Sequence, residues 1–248
     1  MHVPRFWSKA KGEVEHRGET QALAVWDWGD DEAGARATAA QRLARLIERF
    51  QGGAREPGAY DYDERPLREE LVQTLAPGAL LTRNRYGSIV LNTERLLFLD
   101  VDLPPASGLG LLGRLFRKRA PADVALERLR DALRTAAPKT SFRLYRTAAG
   151  LRALATDGEF DPCASETTAL MEATGTDPCF TRLCRAQQSF RARLTPKPWR
   201  CACPNPPGEY PRGDEETRER FSAWCQRYER SIEGHATCRY LESVGAGT

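Results

Sequence analysis

At 248 residues, with 41% hydrophobic and 29% charged side chains, the chain has the make-up of a soluble globular protein and enough length to bury a core. Its 37 basic and 34 acidic residues leave a net charge of +3, too small to dictate a polyanionic partner, so the distribution of charge carries the information. No run of about 18 apolar residues occurs, which argues against a transmembrane helix and integral membrane association.

The N-terminal MHVPRFWSKAKGE lacks the apolar core of a secretory signal. With no export signal, the seven irregularly spaced cysteines are expected to be reduced thiols in a cytoplasmic protein. QALAVWDW (21–28) predicts a strand. Residues 30–50 predict a helix: Ala39, Leu43, Leu46, Ile47 and Phe50 recur at helical spacing behind Asp30, Asp31 and Glu32. Residues 51–66 form a Gly/Pro/charge-rich connection, and 68–75 predict a short helix. Residues 83–92 and 95–103 predict paired strands around Asn92-Thr93-Glu94.

A helix is expected over 125–135, with Ala122, Leu126, Leu129 and Leu133 on one face. SFRLYRT and LRALAT predict a hairpin around Ala148-Ala149-Gly150. Two helices follow at 165–173 and 178–188, the second with Asp177 as N-cap and Pro178 at its first position. Residues 190–194 predict a strand, 196–211 a proline-rich loop, and the end of the chain a helix with Phe221, Trp224, Cys225, Tyr228 and Ile232 on one face. Hairpins outnumber strict β-α-β units, which predicts an α+β fold with a mainly antiparallel sheet and flanking helices. A single domain over 1–248 is expected, with its core at 20–195 and a proline-rich loop and helical C-terminal extension at 196–248.

Chemistry concentrates in LLFLDVDLPP (96–105). Asp100 and Asp102 stand at i and i+2 of a strand and so face the same way. Carboxylates that close repel unless a cation neutralises them, and Mg²⁺ or Mn²⁺ suits two oxygen ligands plus phosphate. A strand-end DxD is a usual means of holding metal for phosphoryl or nucleotidyl transfer. The blander alternative is a strand emerging into solvent before Pro104-Pro105. Haloacid-dehalogenase phosphatases also carry a DxD after an apolar strand, but theirs continues with Gly-Thr where this chain has Leu103-Pro104.

Arginines cluster downstream. Arg146 and Arg152 flank a small-residue turn in which Gly150 would let a ligand approach the backbone. Arg191 and Arg193 share one strand face, with Lys197 just beyond. From Pro178 to Gly208 there is no acidic residue, against six basic ones. Guanidinium forks suit phosphate oxygens, so these residues are candidate ligands for a nucleotide or nucleic-acid backbone. A solvated basic face is the alternative.

Two further patterns are weaker. Cys201, Cys203, Cys225, His235 and Cys238 offer zinc-ligating atoms without a recognised finger spacing, and Cys225 lies on an apolar helix face, where a buried thiol is commoner. Gly108 to Gly113 spells GxGxxG, but it is separated from the preceding strand by Leu103 to Ser107 and lacks a β-α-β frame. Residues 108–119 run from apolar to basic, a pattern for a site cover or for peripheral membrane contact.

MHVPRFW, RYGSIVLNT, LFLDVD, YRTAAGLR, FRARLTPKPWR and HATCRYLESVG together resemble a set of uncharacterised bacterial proteins of about this size, a resemblance that brings no activity with it. Over residues 80–195 the order of motifs is also similar to archaeo-eukaryotic primase-polymerase catalytic domains. That resemblance implies a primase-like, RRM-like core in which Asp100 and Asp102 carry the first acidic motif. Ala149, Gly150 and Arg152 carry the nucleotide-phosphate motif, and a third acid sits on a later strand. The motif histidine is replaced by Arg152, and for the third acid only Asp177 is available. The expected activity is divalent-metal-dependent binding, with nucleotidyl or phosphoryl transfer on a nucleotide or nucleic acid. The alternatives are a non-catalytic nucleotide- or nucleic-acid-binding protein on a degenerate primase-like scaffold, and a structural or partner-binding protein.

Overall fold

A computed structural model of the chain describes residues 1–16, 18–52, 66–103 and 121–245. Residues 104–120 lie outside this set, and with them the GxGxxG loop and the apolar-to-basic segment. Among the described residues, ten strands and five α-helices make an α+β fold in which every strand pairing is antiparallel, as the sequence predicts.

The chain begins with a long hairpin, β1 (Phe6–His16) and β2 (Glu19–Gly29), paired from Phe6 opposite Gly29 to His16 opposite Glu19. Sequence periodicity does not announce β1, because polar residues occupy much of it. Helix α1 (Glu32–Gln51) lies against this hairpin. Its N-cap is Asp31, whose side chain accepts the Gly34 amide at 2.7 Å, and Ala35, Ala39 and Phe50 are buried.

The next segment corrects the sequence reading. Residues 68–75 are not helical: β3 (Glu70–Ala76) pairs with β4 (Ala79–Arg83) across a turn at Pro77-Gly78. The Pro-Gly pair sets the turn, and β-branched Val72 and Thr74 sit in the strand before it. Strand β4 then pairs with β5 (Ile89–Thr93). The Asn84 side chain accepts the amides of Tyr86 and Ser88 and closes this second turn.

The expected hairpin around Asn92-Thr93-Glu94 does not exist. There the chain leaves one sheet for another, and β6 (Phe98–Asp102) pairs with residues 150–154 rather than with β5. Thr93 Oγ1 donates to Leu96 O at 2.9 Å and fixes the crossing. Helix α2 (Pro121–Ala136) precedes the hairpin of β7 (Phe142–Thr147) and β8 (Gly150–Ala155). Helices α3 (Ser165–Ala173) and α4 (Pro178–Gln187) lead to β9 (Phe190–Arg193). Helix α5 (Glu215–Ser231) and β10 (Cys238–Val244) complete the chain.

Two four-stranded sheets result, ordered β10-β7-β8-β6 and β3-β4-β5-β9. The segment after residue 196 is therefore more than a loop and a helix, since β10 forms an edge of the first sheet. The main core packs one face of that sheet (Leu99, Leu144, Leu151, Ala153) against Leu129 and Leu133 of α2 and Met171 of α3. Phe190 and Ala192 of β9 join the same core and tie the second sheet to the first. A smaller cluster of Cys201, Cys203, Phe221, Trp224 and Tyr228 anchors α5. No described helix is long and apolar enough to cross a membrane.

Candidate functional site

Strands β6 and β9 bring the two sheets together, and a cleft of about 440 Å³ opens between them. Asp100, Arg152, Arg191 and Arg193 line it together, as do Tyr86 from the β4–β5 turn and Phe180 from α4. Trp7 and Trp26 of the first hairpin form its far wall.

Register decides which candidates meet. Asp100 stands directly opposite Arg152, so both side chains leave the same face, and Asp102 two residues on shares it. Arg146 does not join them. It pairs with Leu151, whose neighbour across the sheet is Val101, so Arg146 projects from the opposite face. Its assignment to the phosphate set is therefore corrected by strand parity.

Two other arginines are already engaged. Arg152 donates from Nε and Nη2 to the two carboxylate oxygens of Asp100, at 2.9 and 2.8 Å. Arg191 donates to Glu69 at 2.6 Å, to Asn92 Oδ1 at 2.8 Å and to Gln187 Oε1 at 3.3 Å. Thr82 Oγ1 also donates to Glu69, at 2.5 Å, and Asn92 Nδ2 donates to Thr82 Oγ1, closing a buried network across β4, β5 and β9. Gly150 likewise has a structural task. A Cβ there would meet Val101 O at 2.0 Å, so the missing side chain admits β6 rather than a ligand.

The cations that remain are Arg193, Lys197 and Arg200. Among the described residues Arg193 has no ion-pair partner, and its Nε is buried without a hydrogen bond. Burial, then the like charges of Arg152 and Arg200, hold its guanidinium below the ordinary value. Burial, then Arg193 and Arg200, do the same to Lys197, while Tyr86 and Asp102 oppose the shift. Lys197 Nζ lies 5.7 Å from the centroid of the Tyr86 ring and 5.1 Å from that of Trp199. Arg200 and Trp199 lie outside the residues singled out for ligand binding, although Arg200 belongs to the acid-free stretch that signalled Arg193 and Lys197.

Three acids gather at the end of β6, and of these Asp100 lines the cleft. The Asp177 amide donates to Asp100 O at 2.9 Å, which brings the N-cap of α4 to the end of β6. The Asp177 carboxylate is spent on the cap, accepting from the Cys179 and Phe180 amides at 3.1 and 3.2 Å. Partial burial, then the like charges of Asp177 and Asp100, push the Asp102 carboxyl above its usual range, while Lys197 acts against the shift.

This donor set does not fit Mg²⁺ or Mn²⁺. Both Asp100 oxygens face Arg152, the Asp177 oxygens face amides, and no group of three or more His, Cys, Asp or Glu among the described residues could hold a metal ion. The zinc candidates fare no better. Cys201 and Cys203 are buried in the cluster under α5, where Cys201 Sγ donates to Pro198 O at 3.2 Å. Burial pushes the Cys225 thiol up, against the deprotonation that zinc binding needs. His235 is exposed, and Cys238 lies on β10. The cleft also holds Cys184, whose thiol burial pushes up to about 12. It is a packing residue and no nucleophile.

Comparisons of the chain with protein-family models, with curated proteins and with solved structures give no match.

Proposed function

We propose that this chain binds the phosphate groups of a nucleotide or nucleic-acid strand in the cleft between its two sheets, as a binding protein that needs no metal. The observation that carries this reading is Arg193. A half-buried guanidinium whose Nε is buried without a hydrogen bond, with no ion-pair partner among the described residues and with Arg152, Arg200 and Lys197 beside it, suits an anionic ligand. Asp100, the carboxylate whose charge acts on Arg193, is already paired with Arg152. The DxD pair thus has its cation within the protein, which favours binding over metal-dependent nucleotidyl or phosphoryl transfer.

The test is calorimetric titration with ATP and with tripolyphosphate, in EDTA and in Mg²⁺ or Mn²⁺, on the wild-type chain and on Asp102→Asn. Binding is expected in EDTA, weakening as salt rises. Asp102→Asn is expected to bind more tightly, because it removes a negative charge next to Lys197. Binding that requires the metal and disappears in Asp102→Asn would overturn this reading in favour of the metal-dependent one. No binding of either compound would leave the structural or partner-binding reading.

A further inference from the structure

Trp199 is 51% exposed although the loop carrying it is held firmly from below. Thr195 Oγ1 accepts the Ile89 amide at 2.8 Å and donates its own proton to the Tyr228 hydroxyl oxygen at 2.9 Å. Ser88 Oγ donates to Pro196 O at 3.0 Å, and Tyr228 OH donates to the same carbonyl. A short 3₁₀ turn, Pro198–Arg200, then lifts Trp199 out of a base formed by buried Pro198, Cys201 and Cys203.

Tyr86 reaches the same place from the β4–β5 turn. Its ring meets that of Trp199 edge to face, with centroids 5.2 Å apart and planes at 89°. That turn is equally fixed. Gly87 has φ +80°, and a Cβ there would fall 2.1 Å from Trp224, so the indole of α5 packs directly beneath it. Lys197 lies over both rings, Arg85 lies over Tyr86 at 4.7 Å from its centroid, and Arg193 and Arg200 are close enough to Lys197 to influence its charge.

An exposed tryptophan costs solubility and contributes little to a core, yet here two separate loops are braced to present one beside a tyrosine. Aromatic faces interleaved with cations are what unpaired bases and their phosphates require. Base pairs in a duplex hide those faces, and a phosphate compound without a base has no use for them.

We infer that Tyr86 and Trp199 form a stacking platform for the unpaired bases of single-stranded nucleic acid, whose backbone phosphates are held by Arg193, Lys197 and Arg200. The inference rests on the phosphate-binding reading above and narrows its ligand from any phosphorylated compound to a single strand. DNA and RNA share this chemistry, so both enter the test.

Fluorescence anisotropy with labelled oligo-dT and oligo-U of about twelve nucleotides, a length within the usual site size of single-strand binders, supplies the measurement. A duplex of equal length and unlabelled tripolyphosphate serve as competitors. The single strands are expected to bind more tightly than the duplex. Trp199→Ala is expected to weaken them roughly 5- to 150-fold, the loss of one stacked base, while Trp199→Phe keeps most of the affinity. Trp199 is half exposed, so its replacement leaves the fold intact, and Tyr86→Ala supplies an independent second variant. Lys197→Ala is expected to lower the slope of log affinity against log salt by about 0.7. Preference for the duplex, or an oligonucleotide affinity unchanged in both aromatic variants, would overturn the platform. If tripolyphosphate still displaced the bound strand in that case, the phosphate site would stand without it. Binding of neither strand nor tripolyphosphate would overturn both.

Discussion

The Asp100 carboxylate receives Arg152 Nε and Nη2 in a two-pronged contact across directly paired residues of β6 and β8. The geometry matches fork to fork, and the side chains are 31% and 12% exposed. A pair in this setting is more expensive to break than to lose whole, because each half strands the other. Arg152→Ala is expected to cost about 1–3 kcal/mol, below the figure for a fully buried pair since solvent reaches Asp100. Adding Asp100→Asn should return much of that loss. Urea unfolding of the two single variants and the double variant gives the coupling directly. Strict additivity would show that the pair is idle.

Asp102 sets a pH dependence of opposite sign to the usual carboxylate. Its folded-state value lies above the unfolded one, so the folded protein holds this proton more tightly. The stability it lends is complete below the ordinary value of 3.8 and is lost as pH rises through the raised one. Asp102→Asn is therefore expected to raise Tm at pH 7 and to leave it unchanged near pH 3. Thermal unfolding at both pH values checks this. A variant destabilised at pH 7 would mean that the carboxylate is held by an attractive partner instead.

The network of Glu69, Thr82, Asn92 and Arg191 joins three strands of the second sheet and reaches α4 through Gln187. Glu69 and Arg191 side chains are only 10% and 17% exposed. Glu69→Ala is expected to cost about 3 kcal/mol by leaving Arg191 uncompensated. Arg191→Lys should not preserve stability, because a single ammonium cannot span Asn92, Gln187 and Glu69 together. Denaturation midpoints of both variants are the measurement.

Two glycines separate steric need from mere tolerance. At Gly150 the obstacle is the backbone oxygen of Val101, which cannot rotate away. Gly150→Ala is expected to cost about 3 kcal/mol or more by forcing β6 from β8. Gly213 has nothing within 4 Å of an added Cβ, and Gly213→Ala should stay within about 0.5 kcal/mol of the parent. Differential scanning calorimetry of the pair decides.

The sequence made the α+β class legible, along with the β7–β8 hairpin, the capping of α4 and the buried face of α5. These features are local or carried by strong periodicity. The β5–β6 hairpin misled because two apolar runs separated by a few polar residues look alike whether the chain turns back or crosses to another sheet. Strands β1 and β10 escaped notice because polar residues interrupt their alternation. In the site, the DxD spacing correctly placed Asp100 and Asp102 on one face. The partner of Asp100 was hidden, because only cross-strand register reveals that Arg152 stands opposite it. Parity within β7 could have removed Arg146, since Phe142 and Leu144 mark its face as the core side. Trp199 carried a signal as well, an aromatic residue between Lys197 and Arg200 in an acid-free stretch.

Strand β10 also bears on how the protein comes to be folded. It borders β7, although α3, α4, β9 and α5 all intervene along the chain. Until residues 238–244 arrive, β7 presents an open row of amides and carbonyls to whatever strand is nearby. Loop closure over that separation is slow compared with forming the β7–β8 hairpin. The first sheet therefore spends its early life with an adhesive margin, and a chain cut before Cys238 would keep that margin permanently.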